Sequence, residues 1–272
     1  MIQLGLIGYP LGHSLSPKIH TAALAASGLD GNYSLFPIAL EDKQGLKDLL
    51  VRVRAGEITG LNVTIPHKQN IIELMDELTP TAKVIGAVNT IYLRNGNLVG
   101  DNTDAPGFLA DLKQFLNSSF TIPHSALVLG AGGSSRAVVY ALLNDGWNVT
   151  IAARRIEQAQ QLANSFSNYT LQVADFSSFI LHPSSLLVNT TPLGMTPNTE
   201  TSPLPEHTAL SKNNLIYDLV YNPRETKLVR DARAQGLSAT TGLGMLIEQA
   251  ALAFEIWTGT KANRVAMQQA VA

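Results

Sequence analysis

The sequence predicts an α/β fold in two domains, one of them discontinuous along the chain. Three observations carry that prediction. Candidate strands alternate with amphipathic helices from the first residues onward, the pattern of a layered α/β architecture. The stretch Ser125 to Ala137, SALVLGAGGSSRA, reads as a buried strand entering a glycine turn and then a helix, as in a parallel sheet covered on both faces. At 272 residues the chain exceeds the usual size of a single core, and Gly242 to Trp257 is a helix apolar nearly all round. Such a helix wants to be buried, which it achieves by returning to the first domain.

In chain order, Gln3 to Gly8 is a strand and Tyr9 to Leu15 a loop. Ser16-Pro17 opens a helix with a hydroxyl cap and a proline at the first helical position, ending near Gly28. Tyr33 to Ile38 is the second strand. Glu41 to Ala55 is an amphipathic helix, because Leu46, Leu49, Leu50 and Val53 share a face and Gly56 follows its end. Ile58 to Val63 is the third strand. Thr64 and Pro66 then introduce a helix that carries Lys68 in its first turn and buries Ile71, Leu74 and Leu78. Ala87 to Leu93 and Leu98 to Gly100 flank Asn95-Gly96, a strong hairpin signal. DNTD, Asp101 to Asp104, is a turn-rich crossing point into a helix from Ala105 to Leu116. Ala126 to Leu129, Asn148 to Ala153, Leu171 to Val173, Leu186 to Thr190 and Leu215 to Leu219 supply a second, parallel sheet. Asn117 to Pro123 and Pro192 to Pro205 are its longest polar loops. The expected division is 1–101 plus 238–272 for the mixed-sheet domain and 102–237 for the parallel one, with a cleft between them.

The glycine turn points to a ligand. Gly130, Ala131, Gly132 and Gly133 follow a strand at once and precede a helix of about Ser134 to Leu143, where backbone N–H groups can approach a pyrophosphate. The third glycine of the G-x-G-x-x-G fingerprint is replaced by Ser135. Asn148 to Ala153 completes a βαβ unit, giving a Rossmann-like domain. In such a unit an acidic residue after the second strand binds the ribose 2′-hydroxyl of NAD. Here Arg154 and Arg155 stand instead, and guanidiniums grip a 2′-phosphate. The expected cofactor is therefore NADP, the plain alternative being two solvated arginines at a helix start.

Composition narrows the remaining classes. With 45% hydrophobic and 15% charged residues, a well-buried core is expected. The formal net charge of −2 gives no general attraction to nucleic acid or an anionic membrane. The chain has no cysteine and six scattered histidines, so no metal site is expected. No apolar run reaches the roughly 18 residues that span a bilayer, and MIQLGLIGYP reads as a first strand rather than a leader. A cytoplasmic protein acting on a small molecule, monomer or homodimer, is the expectation.

The first half concentrates polar residues at strand ends: Ser14 and Ser16 in GHSLSP, Asn62, Thr64 and Lys68 in NVTIPHK, Asn89 in GAVNT, Asp104 in DNTD. Each has a plain alternative, Ser16 as a helix cap, Asn89 as a turn former, Asp104 as an N-cap, Lys68 as an exposed lysine. Their common placement where open α/β sheets bind ligands favours a site. At a helix N-terminus the dipole disfavours the Lys68 ammonium while a carboxylate such as Asp104 favours it, a balance suited to proton exchange. Arg52, Arg54 and Arg94 lie outside these loops, so neutral donors and acceptors face a hydroxyl-rich substrate, with Ser14 and Ser16 for any carboxylate.

Taken together, GYPLGHSLSPKIH, NVTIPHK, GAVNT, DNTD, GAGGSSRA, NTTPLGM, YDLVY and GLGMLIEQA resemble the shikimate dehydrogenase family, in the same order and over nearly the whole chain. The resemblance implies NADPH-dependent reduction of 3-dehydroshikimate to shikimate, in chorismate and aromatic amino-acid biosynthesis. It implies substrate contacts at Ser14, Ser16, Thr64, Lys68, Asn89, Asp104, Tyr221 and Gln249, and a catalytic pair of Lys68 and Asp104. It implies cofactor contacts at the Gly130 to Gly133 turn, Arg154, Leu219 and Gly242. One departure is visible. The family often has Asn-Arg-Thr and a further arginine three residues later, whereas this chain has Ala153, Arg154, Arg155 and Gln158, leaving Arg155 as the candidate for the second clamp. An NAD-using quinate/shikimate dehydrogenase and a non-catalytic ligand sensor are the rival readings.

Overall fold

The computed structural model describes residues 1–116, 124–176, 185–204, 208 and 210–272. The predicted loop from Asn117 to Pro123 lies outside the described residues, as does Pro205 at the end of the second loop. The chain forms two compact units, Met1–Gly107 with Ile247–Ala272, and Phe108–Leu246. The expected boundaries lie elsewhere, at 101/102 and 237/238. The observed ones fall inside two helices, α4 (Asp104–Leu116) and α8 (Leu243–Thr258). No helix among the described residues is long and apolar enough to cross a membrane.

The first unit is built on a mixed sheet of β1 (Ile2–Gly8), β2 (Gly31–Pro37), β3 (Gly60–Val63), β4 (Glu77–Leu78), β5 (Thr90–Arg94) and β6 (Asn97–Asp101), in the order β2-β1-β3-β5-β6-β4. β1 runs parallel to β2 and β3, and β5 antiparallel to β3 and β6. Ile7, Leu61, Val63 and Ile91 pack against Leu46, Leu49, Leu50 and Val53 of α2 (Lys43–Arg54), the face expected from its sequence. The Asn95-Gly96 hairpin holds both residues at positive φ, 53° and 83°, which is what a primed turn requires.

α8 contributes the buried Ala250, Ala251, Ala253, Phe254 and Trp257 to this unit. Its Trp257 indole occupies the space above Gly60, where a Cβ would come within 2.2 Å of the ring, and donates to the Ile91 carbonyl at 3.0 Å. The helix is thereby seated on the centre of the sheet.

Two local expectations are corrected. α1 (Ser16–Ala26) has Leu15 at its N-cap position and no side-chain cap, so Ser16 is the first helical residue rather than its cap. No α-helix follows Thr64. Turns lead to a short 3₁₀ helix, Asn70–Leu74, then β4 and α3 (Pro80–Ile85). The reason is a tertiary bond. The Lys68 carbonyl accepts the Val88 N–H at 2.7 Å and so is spent outside the i→i+4 ladder that a helix would need. Ile71 is buried as expected, while Leu74 and Leu78 are only half-buried.

The second unit holds a wholly parallel sheet of β7 (Ser125–Leu129), β8 (Asn148–Ala153), β9 (Leu171–Asp175), β10 (Leu186–Asn189), β11 (Leu215–Asp218) and β12 (Ser238–Thr241), in the order β12-β11-β10-β7-β8-β9. With α5 (Gly133–Asn144), α6 (Ile156–Ser165) and α7 (Lys227–Ala234) it is doubly wound. The strand order reverses between β7 and β10, which makes the carboxyl ends of those two strands the ligand-binding switch point. Gly130 and Thr190 stand there. α7, β12 and the last helix α9 (Arg264–Gln269) go unpredicted, because KLVRDARA, SATT and RVAMQQ are short and at least half polar.

Candidate active site

Topology brings the polar residues of the first unit to one sheet edge. β1, β3 and β6 all end there, followed by the loop carrying Ser14 with Ser16 at the start of α1, the turn carrying Thr64 and Lys68, and the segment Asn102 to Asp104. Asn89 precedes the antiparallel β5 and so starts from the same edge. Backbone bonds lock the loops side by side, Tyr9 N–H to Ile65 O and Thr64 N–H to Ile7 O, each 2.9 Å.

At this edge Lys68 Nζ lies 2.6 Å from Asp104 Oδ2, with the two side chains only 12% and 6% exposed. Asn89 Nδ2 donates to the other oxygen, Asp104 Oδ1, at 2.8 Å, and also reaches Thr103 Oγ1 at 2.9 Å and Gln249 Oε1 at 3.3 Å. Two amide hydrogens thus serve three acceptors, so one can turn to a ligand without leaving Asp104. Asn89 Oδ1 accepts the Thr103 N–H at 2.7 Å and the Thr90 hydroxyl at 2.9 Å. The Asn89 carbonyl accepts Val63 N–H at 2.8 Å and Asn62 Nδ2 at 3.3 Å, and Tyr33 OH donates to Asn62 Oδ1 at 2.8 Å. Gln249 comes this close because Gly107 has no side chain; a Cβ there would meet the Gln249 nitrogen at 2.7 Å.

Ser16 is buried and its N–H donates to Ser14 Oγ at 3.2 Å. Thr64 is half-buried at the start of the Lys68 turn. Because that turn is not a helix, no helix dipole acts on Lys68, and the ion pair with Asp104 is what remains. Asn62, one of the strand-end polar residues the sequence singles out, supports the cluster, as do Thr90 and Thr103, which the sequence does not single out. So does His67, whose buried ring bonds the Ile38 carbonyl at 2.7 Å. All four lie inside the sequence motifs, so a signal is present, but it does not separate supports from contacts.

The second unit shows the glycine turn. Gly130 has φ +112°, and a Cβ there would lie 2.6 Å from Thr190 Oγ1, so only glycine fits. Gly132 is the N-cap of α5 with no side-chain cap, and the space beside its Cα is open, as a bound pyrophosphate needs. Where the third fingerprint glycine is missing, the buried Ser135 hydroxyl donates to the Gly130 carbonyl at 2.7 Å and ties the turn to its helix. Gly133 is the first residue of α5 and Ala131 is half-buried beside it. Arg154 and Arg155 follow β8, both exposed, with no acidic partner among the described residues. Arg155 occupies the N-cap position of α6 without a side-chain cap bond. Leu219, half-buried, closes on Gly242, where a Cβ would lie 2.2 Å from the Leu219 carbonyl. Tyr221 follows in the same unit, and burial pushes its phenol above the usual range. The residues present fit NADP: an uncapped, open helix start, and guanidiniums after the second strand with no carboxylate beside them among the described residues. No cluster of three or more potential metal ligands exists among the described residues.

The doubly wound sheet with its glycine turn defines an α/β protein of the dinucleotide-binding class, joined to a unit carrying a buried lysine–aspartate pair. Comparison with known proteins is specific. The family described as shikimate dehydrogenase substrate binding domain matches residues 6–91, shikimate/quinate 5-dehydrogenase matches 116–220, and shikimate 5′-dehydrogenase C-terminal domain matches 242–272. Shikimate dehydrogenase (NADP(+)) of Shouchella clausii is 40% identical over 99% of this chain and 97% of its own. The crystal structure of shikimate 5-dehydrogenase from Thermus thermophilus with NADP(H) and shikimate has a TM-score of 0.87 at 39% identity, covering 99% and 98% of the two chains. Quinate dehydrogenase from Corynebacterium glutamicum with NAD has a TM-score of 0.89 at 33% identity, covering 99% and 98%. The chain belongs to the shikimate dehydrogenase family.

Proposed function

We propose that this protein catalyses the reversible NADPH-dependent reduction of 3-dehydroshikimate to shikimate, a step of chorismate and aromatic amino-acid biosynthesis in the cytoplasm. The observation that carries the reading is the Lys68–Asp104 pair at 2.6 Å, in a chain of this family with two exposed arginines after β8. Gly130 to Gly133 and the start of α5 hold the pyrophosphate, Arg154 and Arg155 the 2′-phosphate, and Leu219 and Gly242 line the cofactor edge. When bound, NADP supplies the hydride acceptor or donor at its nicotinamide ring.

The chain's own groups handle the proton and the substrate. In the oxidation direction Lys68 Nζ takes the proton from the reacting hydroxyl, and in reduction it returns it. Asp104 holds that ammonium through Oδ2 and offers its carboxylate to the substrate hydroxyl. Asn89 and Gln249 bind neighbouring hydroxyls, and Ser14, Ser16, Thr64 and Tyr221 complete the substrate set, the two serines facing its carboxylate.

The test is absorbance of the reduced nicotinamide with shikimate and either NADP⁺ or NAD⁺, with quinate in parallel. Turnover confined to shikimate and NADP⁺ is expected. Comparable rates with NAD⁺ or quinate would replace this reading by the broader enzyme, and no turnover despite shikimate binding by the sensor.

A further inference from the structure

The second unit buries a carboxylate that the proposed chemistry does not use. Asp218, at the carboxyl end of β11, is fully buried. Three donors surround it: Asn189 Nδ2 at 2.8 Å and Val220 N–H at 3.1 Å on Oδ1, and the Thr226 hydroxyl at 2.7 Å on Oδ2. These donors come from the end of β10, the segment after β11 and the N-cap of α7.

The consequence reaches the glycine turn in two steps. An amide has one donating and one accepting end. With Nδ2 held by Asp218, and over a longer 3.4 Å by the Leu193 carbonyl, Asn189 presents Oδ1 to the next segment, where it accepts the Thr191 N–H at 2.9 Å and the Thr191 hydroxyl at 2.7 Å. Its backbone carbonyl accepts the Leu219 N–H at 2.9 Å. The neighbouring Thr190 gives both its N–H and its hydroxyl to the Leu129 carbonyl, at 2.9 and 2.6 Å. The same Thr190 oxygen stands against Gly130. Were the Asn189 amide reversed, two N–H groups would face each other at Thr191, whose methyl carbon lies 3.3 Å from where a Gly130 Cβ would stand; the bonds of Thr190 and Leu219 do not involve that amide.

We infer that Asp218 is a positioning residue for the dinucleotide site: it sets the Asn189 amide, which in turn fixes Thr191 beside the Gly130 turn. The inference deepens the proposed function and rests on its assignment of NADP to this unit. What is required is an acceptor facing Asn189. An asparagine at 218 can keep Oδ1 in place and turn its amide to Thr226, whose hydroxyl then accepts instead of donating.

The experiment is direct titration of the whole protein with NADP⁺, in the absence of substrate, alongside shikimate binding and thermal melting. Asp218→Ala should weaken NADP⁺ binding about tenfold, the worth of one buried hydrogen-bond relay, while shikimate binding stays within about twofold. Asp218→Asn should restore NADP⁺ affinity to within about threefold of the parent. Unchanged affinity in Asp218→Ala, or an equal loss in Asp218→Asn, would overturn the inference. Should Asp218→Ala fail to fold, Thr191→Ala removes the hydroxyl at the far end of the same relay; a loss of severalfold with an unchanged melting temperature supports the inference, and no loss overturns it. If the parent protein itself does not bind NADP⁺, it is the proposed function that fails.

Discussion

The two ionic groups assigned to chemistry and to cofactor stand in opposite surroundings. Lys68 and Asp104 are paired, almost fully enclosed, and held by Asn89 on the far carboxylate oxygen. Arg154 and Arg155 project into solvent from the end of β8, with no acidic neighbour among the described residues. A buried pair has one geometry and loses much when a partner is removed. Exposed guanidiniums are free to meet a ligand phosphate and are worth little until they do. The difference separates a group that governs rate from groups that govern binding, and substitutions can test that separation.

The largest effect is expected at Lys68. Lys68→Ala should lower kcat by about 10²- to 10⁴-fold, the usual worth of a positioned acid–base group, with the protein folded and NADP⁺ binding little changed. Steady-state rates beside a melting curve check it, and a near-normal kcat would remove Lys68 from the mechanism.

A buried ring in the first unit adds a pH-dependent effect. The His20 ring is fully buried between Tyr33, stacked at 4.4 Å, and Trp257, with neither nitrogen in a well-formed hydrogen bond among the described residues and the Asn62 side chain only a smaller, opposing influence on its charge. Burial pushes its pKa down to about 3. Between the ordinary value of 6.5 and 3 the unfolded chain therefore binds a proton that the folded one does not, and stability falls as pH falls, by up to about 1.4 kcal/mol per pH unit. Melting temperatures of the parent and His20→Phe should diverge in that window, the parent losing more. Parallel curves would show that the ring is accommodated in charged form. Asp218 works in the opposite sense. Burial raises its pKa to about 6, so the folded state takes its proton first and is relatively favoured as pH falls from about 6 towards the ordinary carboxylate value.

At Arg154 the loss should be in affinity. Arg154→Ala is expected to weaken NADP⁺ binding by about 1.5 to 3 kcal/mol, as for hydrogen bonds to a charged group, and to leave NAD⁺ binding unchanged. Equal losses for both cofactors would contradict the 2′-phosphate role.

How far these sites can be read from sequence also differs between the two units. The parallel sheet announces itself through apolar runs such as Ala126 to Leu129 and through the glycine turn, because strands covered on both faces leave no choice of pattern. The Lys68 turn reads as a helix because Thr64 and Pro66 are good helix-start residues, and the bond that prevents a helix comes from Val88, twenty positions away in sequence. Ser16 as a cap fails for a similar reason, since α1 begins one residue earlier than its hydroxyl could serve. The members of the site are legible through their motifs. What sequence does not provide is the division of labour, in which Asn89 faces Asp104, Thr103 and Gln249 at once while Asn62 and Tyr33 hold it from behind. Such bonds join residues up to 160 apart, and local pattern has no access to them.

The smallest effect bears on the arginine that the family pattern does not anticipate. Arg155 occupies the N-cap of α6, yet its side chain does not cap the helix, so its substitution should cost the fold little. If it takes the second place in the phosphate clamp, Arg155→Ala should weaken NADP⁺ binding by about 0.5 to 1.5 kcal/mol, an exposed charged contact contributing less than an enclosed one. The double variant then discriminates between two arrangements. Guanidiniums on one phosphate are coupled, so Arg154→Ala with Arg155→Ala should lose measurably less than the sum of the single losses. Strict additivity would place Arg155 on a different part of the ligand. No loss at all in Arg155→Ala would leave Arg154 alone as the phosphate grip, and would make NADP preference in this chain depend as much on the missing carboxylate after Ala153 as on the arginine that follows it.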